Sequence, residues 1–312
     1  MGRSPGSGRL NLPFQRASNL ADGDTLAASQ TRTQPVTTSQ RVLRAGARRM
    51  ARKHLDLHVE GLQHVPRTGP LMLAARHYHH FYDGVALVAS LPRPLHIIVG
   101  LDWVERSRDR VLMERICAMA GWPVVLRSAN LDRLGDRSAY GDDDPQTYQR
   151  AALRQSLATL RGGGALVMFP EGYPVVDPQG VTSERASTPL LPFDPGFLRI
   201  VDLTQRDGVS RVPIVPVGFD VGPHSATLTD VQADASDADA APLALTMRIG
   251  APLWLERGDD LVAVACQIED IVRGLSGLPA HSADAVNDTP AVSPATRVST
   301  DASAAVSIKV GT

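Results

Sequence analysis

From His77 to Asp83 the chain reads H-Y-H-H-F-Y-D, three histidines and a carboxylate within seven residues. Two chemistries use such a cluster. An imidazole removes a proton from a hydroxyl near neutral pH when a carboxylate fixes its tautomer and steadies the imidazolium. The same residue types also hold hydrolytic metals. His77, His79 and His80 are thus candidate bases or ligands, with Asp83 as the orienting group or a further ligand. A binuclear metal site would want an H-x-H-x-D-H order, which Phe81-Tyr82-Asp83-Gly84 does not supply. His54, His58, His64, His96 and His224 are scattered and fall on no second ligand motif. The expectation is a reaction with no metal and no cofactor, and a metal-dependent hydrolase using His77, His79, His80 and Asp83 stays as the alternative.

The elements that must position these residues follow from hydrophobic patterning. Leu71 to Ala75, His96 to Gly100, Pro123 to Arg127, Ala165 to Phe169 and Val212 to Phe219 are short, continuous apolar runs. Such runs suit buried central strands. Between them lie helical periods. Val111, Leu112, Arg115, Ile116 and Met119 recur within Val104–Gly121, and Ala152, Leu153, Ser156, Leu157 and Leu160 within Pro145–Gly164. The alternation predicts an α/β sandwich with a mostly parallel central sheet flanked by helices. In an open sheet of this kind functional residues gather beyond the carboxyl ends of the strands. His77 follows the first run, Arg127 ends the third, and Glu171 and Gly172 follow the fourth in "FPEG". Pro216 is expected at the end of the last.

Charge and composition bound the partners. Basic and acidic residues number 32 and 33 in 312, which argues against nucleic acid. Cys117 and Cys266 are far apart and read as buried thiols, not a disulfide framework. No apolar run reaches the length of a membrane span. The first residues lack the apolar centre of a secretory signal, so a cytoplasmic protein is expected. Residues 1–39 and 279–312 are polar and aperiodic and read as disordered tails around one domain, 40–278. The acidic stretches Tyr140–Gln146 and Asp230–Pro242 are assigned to solvent. A helix from Arg41 to His54 carries Arg41, Arg44, Arg48 and Arg52 as a stripe, with Val42, Leu43, Ala47 and Met50 on another face. That pattern fits a surface helix, or peripheral contact with anionic lipid headgroups on the cytoplasmic side of a membrane.

In order, the strand before His77, the His…Asp motif, the G-x-x-x-x-x-R strand ending at Arg127, "FPEG" and "VPIVPV" resemble the glycerolipid acyltransferases, of which lysophosphatidic acid acyltransferase is the best-known type. The preceding "VEGLQHVPRTGPLMLAARH" and the later "FDPGFLRI" and "MRIGAPLWLE" extend the resemblance over about Leu55 to Leu278. It implies the glycerol-3-phosphate acyltransferase-like fold and transfer of a fatty acyl group from acyl-CoA or acyl carrier protein, as co-substrate, to a lysophospholipid or glycerol-phosphate hydroxyl. It also implies that Arg127 binds an anionic group of the acceptor and that Glu171 and Gly172 position it. The chain has no G-x-S-x-G elbow, so no serine nucleophile is called for. Two departures stand out. The family separates His and Asp by four residues, which would place the histidine at Tyr78. Counting from Gly69-Pro70 favours His77 as base, with His79 and His80 as alternatives and His80 where the family carries a small serine. "FPEGYP" also replaces the usual Thr-Arg continuation, for which Arg185 is the available substitute. These departures leave a further alternative, a lipid-binding relative with impaired catalysis.

Overall fold

The computed structural model describes residues 36–176, 189–206, 208, 211–221 and 242–280, with only the backbone at Asp136. The assigned disordered tails up to residue 35 and beyond 280, Arg185, His224 and nearly all of the second acidic stretch lie outside the described residues.

Helix α1 spans Thr38–His54. Thr37 and Gln40 close a reciprocal capping box at its start, and Arg52, Lys53 and His54 in its last turn suit the negative end of the helix dipole. The chain then turns directly into strand β1 (Leu55–Glu60) and, after a loop, into β2 (Leu71–Ala75). Helix α2 (Tyr82–Ser90) leads to β3 (Leu95–Ile97) and β4 (Val99–Gly100). Helix α3 (Ser107–Ala120), β5 (Val124–Val125), α4 (Ser128–Leu134) and α5 (Pro145–Arg161) follow. The remaining elements are β6 (Ala165–Met168), α6 (Gly196–Arg206), β7 (Pro213–Asp220), β8 (Leu243–Ile249), β9 (Leu253–Trp254) and α7 (Leu261–Leu275).

The main sheet has the order β1-β8-β7-β2-β6-β3, with β9 pairing with β7. All its pairings are parallel except β7 with β8 and β7 with β9. The α/β class and mostly parallel sheet are those read from the sequence. Strands β2 and β6 lie in the middle and are buried throughout. Their alternation splits the core by face. Leu71, Leu73, Ala75, Ala165 and Val167 pack in one cluster under α1 and α2. Met72, Ala74, Leu166 and Met168 pack in the other, under α5, α6 and α7.

The run His96–Gly100, read as one strand, is divided between two sheets. The N–H of Ile98 donates to Val167 of the main sheet, and the next N–H, of Val99, donates to Pro123. Strand β4 thus leaves the main sheet and pairs in parallel with β5. This small sheet sits over a third cluster formed by Leu101, Val104, Cys117, Leu126, Leu131 and Tyr140.

Four side-chain expectations are corrected. Helix α3 ends as expected at Gly121, whose φ of 69° is the left-handed conformation glycine adopts freely. Its buried residues, however, are Cys117 and Ala120, whereas Val111, Leu112 and Met119 are exposed. The helix turns this way because Arg110 lies over the Tyr140 ring and pairs with Glu114 and Asp143. For the same reason the first acidic stretch is not given wholly to solvent; Tyr140 is fully buried and Asp143 is half-buried against Arg110. On α1, Ala47 and Ala51 face the core and Val42 faces out. Cys266 is exposed on α7, and only Cys117 is buried.

Candidate active site

His77 stands just past the end of β2, where parallel pairing with β6 and β7 stops. Its Nδ1 lies 3.1 Å from Oδ2 of Asp83, which is in the first turn of α2 and fully buried. The ring stacks on Phe169, at 4.3 Å between centroids. An Nδ1–H donated to the carboxylate leaves Nε2 as the basic nitrogen. Burial raises the Asp83 pKa well above the ordinary value, opposed by the His79 N–H and the Arg76 charge.

The extra residue between His77 and Asp83 is taken up in extended chain. The N–H groups of Val175 and Val176 donate to the carbonyls of His77 and Tyr78, and His80 donates back to Val176. The segment therefore runs alongside the stretch after "FPEG", which it meets in an isolated parallel bridge between His79 and Val176, before α2 begins.

Within that segment the three histidines have different surroundings. The His79 ring is buried, and its Nδ1 accepts the N–H groups of Phe81 and Tyr82 at 3.1 and 3.3 Å. Burial, with His80 and His77 nearby, pulls its pKa down to about 3, so the ring is neutral. His80 is exposed and stacks on His79 at 4.4 Å. Among the described residues no group of three or more His, Cys, Asp or Glu side chains is arranged to hold a metal ion.

Glu171 meets His77 through the backbone. One carboxylate oxygen accepts the His77 N–H at 2.5 Å, and the other accepts the Leu191 N–H at 3.0 Å. Burial pushes its pKa up to about 8, against the pull of those two N–H groups and of Arg76. Gly172, with φ of 75°, turns the chain immediately afterwards. Its carbonyl accepts a hydrogen bond from Nη1 of Arg127.

Arg127 follows β5 and is fixed on three sides. Its Nε and Nη2 donate to Asp102, with Nη2 at 2.8 Å from Oδ2. Its guanidinium lies 4.1 Å over the Tyr173 ring. Asp102 is fully buried and also accepts from Asn130. The structure thus brings His77, Asp83, Glu171, Gly172 and Arg127 into one connected site, with His79 packed behind it. Pro216 is not at a strand end. It pairs with Ala74 inside β7, which runs on to Asp220.

Three residues of this site were not singled out in the sequence. Arg76, beside His77 and only 3% exposed, donates to the carbonyls of Phe219 and Pro189. Asp102 and Asn130 hold Arg127. The available signal was a charge beside a fully apolar run, as in "LMLAAR" and "IIVGLD"; such a charge must be paired if it is buried.

Comparison with known proteins places this geometry in context. No curated protein matches the chain. Among solved structures, the crystal structure of the 1-acyl-sn-glycerophosphate (LPA) acyltransferase PlsC from Thermotoga maritima is similar at a TM-score of 0.48 and 17% identity, covering 76% of this chain and 78% of that one. The family model described as "Acyltransferase" matches residues 56–220, more than half of the 312 residues, from the second residue of β1 to the end of β7. The chain belongs to the acyltransferase family.

Proposed function

We propose that the protein moves a fatty acyl group from an acyl thioester, acyl-CoA or acyl carrier protein, to a hydroxyl of a glycerolipid acceptor such as lysophosphatidic acid, with His77 as general base. The observation that carries this reading is the 3.1 Å contact between His77 and the buried Asp83 at the end of β2. Nε2 of His77 takes the acceptor's hydroxyl proton as its oxygen attacks the thioester carbonyl carbon. The tetrahedral intermediate collapses with cleavage of the carbon–sulfur bond, and the imidazolium returns the proton to the departing thiolate. Asp83 steadies the imidazolium in between. No covalent enzyme intermediate, metal or cofactor enters this scheme.

Arg127 acts by directed hydrogen bonding more than by bare charge, because Asp102 offsets it. Of the five N–H donors of a guanidinium, three are used by Asp102 and the Gly172 carbonyl, leaving two for an anionic oxygen of the acceptor. Glu171 supports the site by bracing the His77 backbone, and Gly172 sets the turn that meets Arg127.

The experiment is a panel of lysophospholipid and glycerol-phosphate acceptors assayed with radiolabelled acyl-CoA and with acyl carrier protein. Wild type transfers label to at least one acceptor, a chelator leaves the rate unchanged, and His77→Ala abolishes transfer. A fully active His77→Ala, or loss of activity to the chelator, overturns the mechanism.

Membrane contact is proposed to run through α1. Arg41, Arg49, Arg52 and Lys53 are exposed there, and Val42 is 67% exposed among them. Arg44 is half-buried and donates to the carbonyl of Leu91, whereas Arg48 is exposed while its Nε donates to the carbonyl of Ala89 at the end of α2. Among the described residues no helix is long and apolar enough to cross a membrane.

A further inference from the structure

We propose that His79 is a positioning residue, whose imidazole caps the first turn of α2 and so holds Asp83 against His77 despite the extra residue between them. This rests on the reading of His77 and Asp83 as base and orienting carboxylate, and adds to it the part that makes the longer turn work.

A helix begins with N–H groups that have no partner inside the helix. Phe81, which precedes α2, contributes no side-chain acceptor to them. His79 does so from two residues further back, through the two contacts at its Nδ1. Its own backbone N–H donates at 2.9 Å to Oδ2 of Asp83, the same oxygen that meets His77. One residue therefore binds the start of α2 with its ring and the carboxylate with its main chain, closing a loop around the turn. The extended backbone before it is fixed independently, since His79 bridges to Val176 and its neighbours hydrogen-bond to Val175 and Val176. The start of α2 is thus tied to that stretch, and the ties hold Asp83 beside His77.

The ring's environment favours this role over proton transfer. His79 is 5% exposed and packed between His80 and Tyr82, each at 4.4 Å between ring centroids. Nδ1 is filled by two donors, which requires the neutral ring with its proton on Nε2. Protonation at Nδ1 would break both contacts.

The test compares His79→Ala with His79→Asn, because asparagine carries an acceptor, Oδ1, bonded directly to Cγ as Nδ1 is. In the alanine variant kcat is expected to fall about tenfold or more with little change in KM, since a lost cap is typically worth a factor of several and the dyad loosens with it. The acidic limb of kcat/KM moves to lower pH, because an imidazole separated from its carboxylate is a weaker base. The asparagine variant restores both to within about threefold. Amide hydrogen exchange gives a reading independent of activity. Phe81 and Tyr82 exchange faster in His79→Ala and return to the wild-type rate in His79→Asn.

If His79→Asn is as impaired as His79→Ala while its exchange is normal, the ring takes part in the chemistry and the proposal fails. Unchanged exchange at Phe81 and Tyr82 in His79→Ala overturns it directly. If the wild type moves no acyl group from any donor but the exchange pattern holds, the functional reading fails and the cap survives.

Discussion

Glu171 accepts one backbone N–H with each carboxylate oxygen, in almost complete burial. Its pKa, raised from 4.5 to about 8, makes folding depend on pH with a definite sign. Within that window the folded chain keeps a proton on Glu171 that the unfolded chain has released, so stability falls as pH rises. From about pH 6.5 to 8 the wild type should lose up to ~2 kcal/mol more than Glu171→Gln, at about 1.4 kcal/mol per pH unit. Urea midpoints taken across that range test it, and parallel slopes for the two proteins reject it. The slope is the useful quantity, because glutamine presents an NH₂ to one of the N–H donors and has its own pH-independent cost. The residue types of the site were legible in the sequence: His77, Asp83, Arg127 and Glu171 all lie together. Which histidine does what was not, because a side chain's commitments depend on the path of the turn. Tyr78, His79 and His80 are adjacent, yet one packs into the core, one caps a helix and one is exposed.

At the scale of elements, Arg127 is a brace between the small β4–β5 sheet and the turn after β6. It ties Asp102 and, through Asp102, Asn130 of α4 to Gly172 and Tyr173. Removing one partner of a buried pair leaves the other charge uncompensated, which is typically worth 3–5 kcal/mol. Asp102→Asn should therefore lower stability by about 3 kcal/mol, because Arg127 is 11% exposed and keeps some solvation. Asp102→Asn combined with Arg127→Gln should recover part of the loss, measured by urea denaturation. A double variant no more stable than Asp102→Asn alone argues against the brace. The replacement of Thr-Arg by Tyr-Pro after "FPEG" has its physical counterpart here, since Tyr173 supplies the face on which Arg127 rests. Helices α1, α3 and α5 were legible from period and caps. The buried face of α3 was not, because a half-buried ion-pair network around Arg110 outweighed its apolar residues. Helices α2, α4, α6 and α7 and strands β1, β8 and β9 went unmarked. Strand β1, L-D-L-H-V-E, alternates buried or half-buried apolar residues with exposed polar ones, a two-residue period that a reading for continuous apolar runs does not catch.

For the molecule as a whole, the exposed basic residues of α1 give an expected behaviour at surfaces. The protein should bind vesicles containing anionic phosphatidylglycerol and not vesicles of phosphatidylcholine alone. Replacing Arg41, Arg49, Arg52 and Lys53 together with Gln should weaken binding by up to about a thousandfold, at ~1 kcal/mol per basic residue. Raising salt should have a similar effect on the wild type. Equal sedimentation of both proteins with anionic vesicles would remove α1 from the contact. The α/β class and central strands were readable because continuous apolar runs at regular intervals have few other solutions. The division of His96–Gly100 was not, since two sheets can share a run with no change in its composition. That division has a mechanical consequence. The His77 half of the site hangs from the main sheet and the Arg127 half from the small one, and their backbones part between the consecutive N–H groups of Ile98 and Val99. One peptide unit is the crease between two plates, so the angle at which His77 and Arg127 face each other is set there.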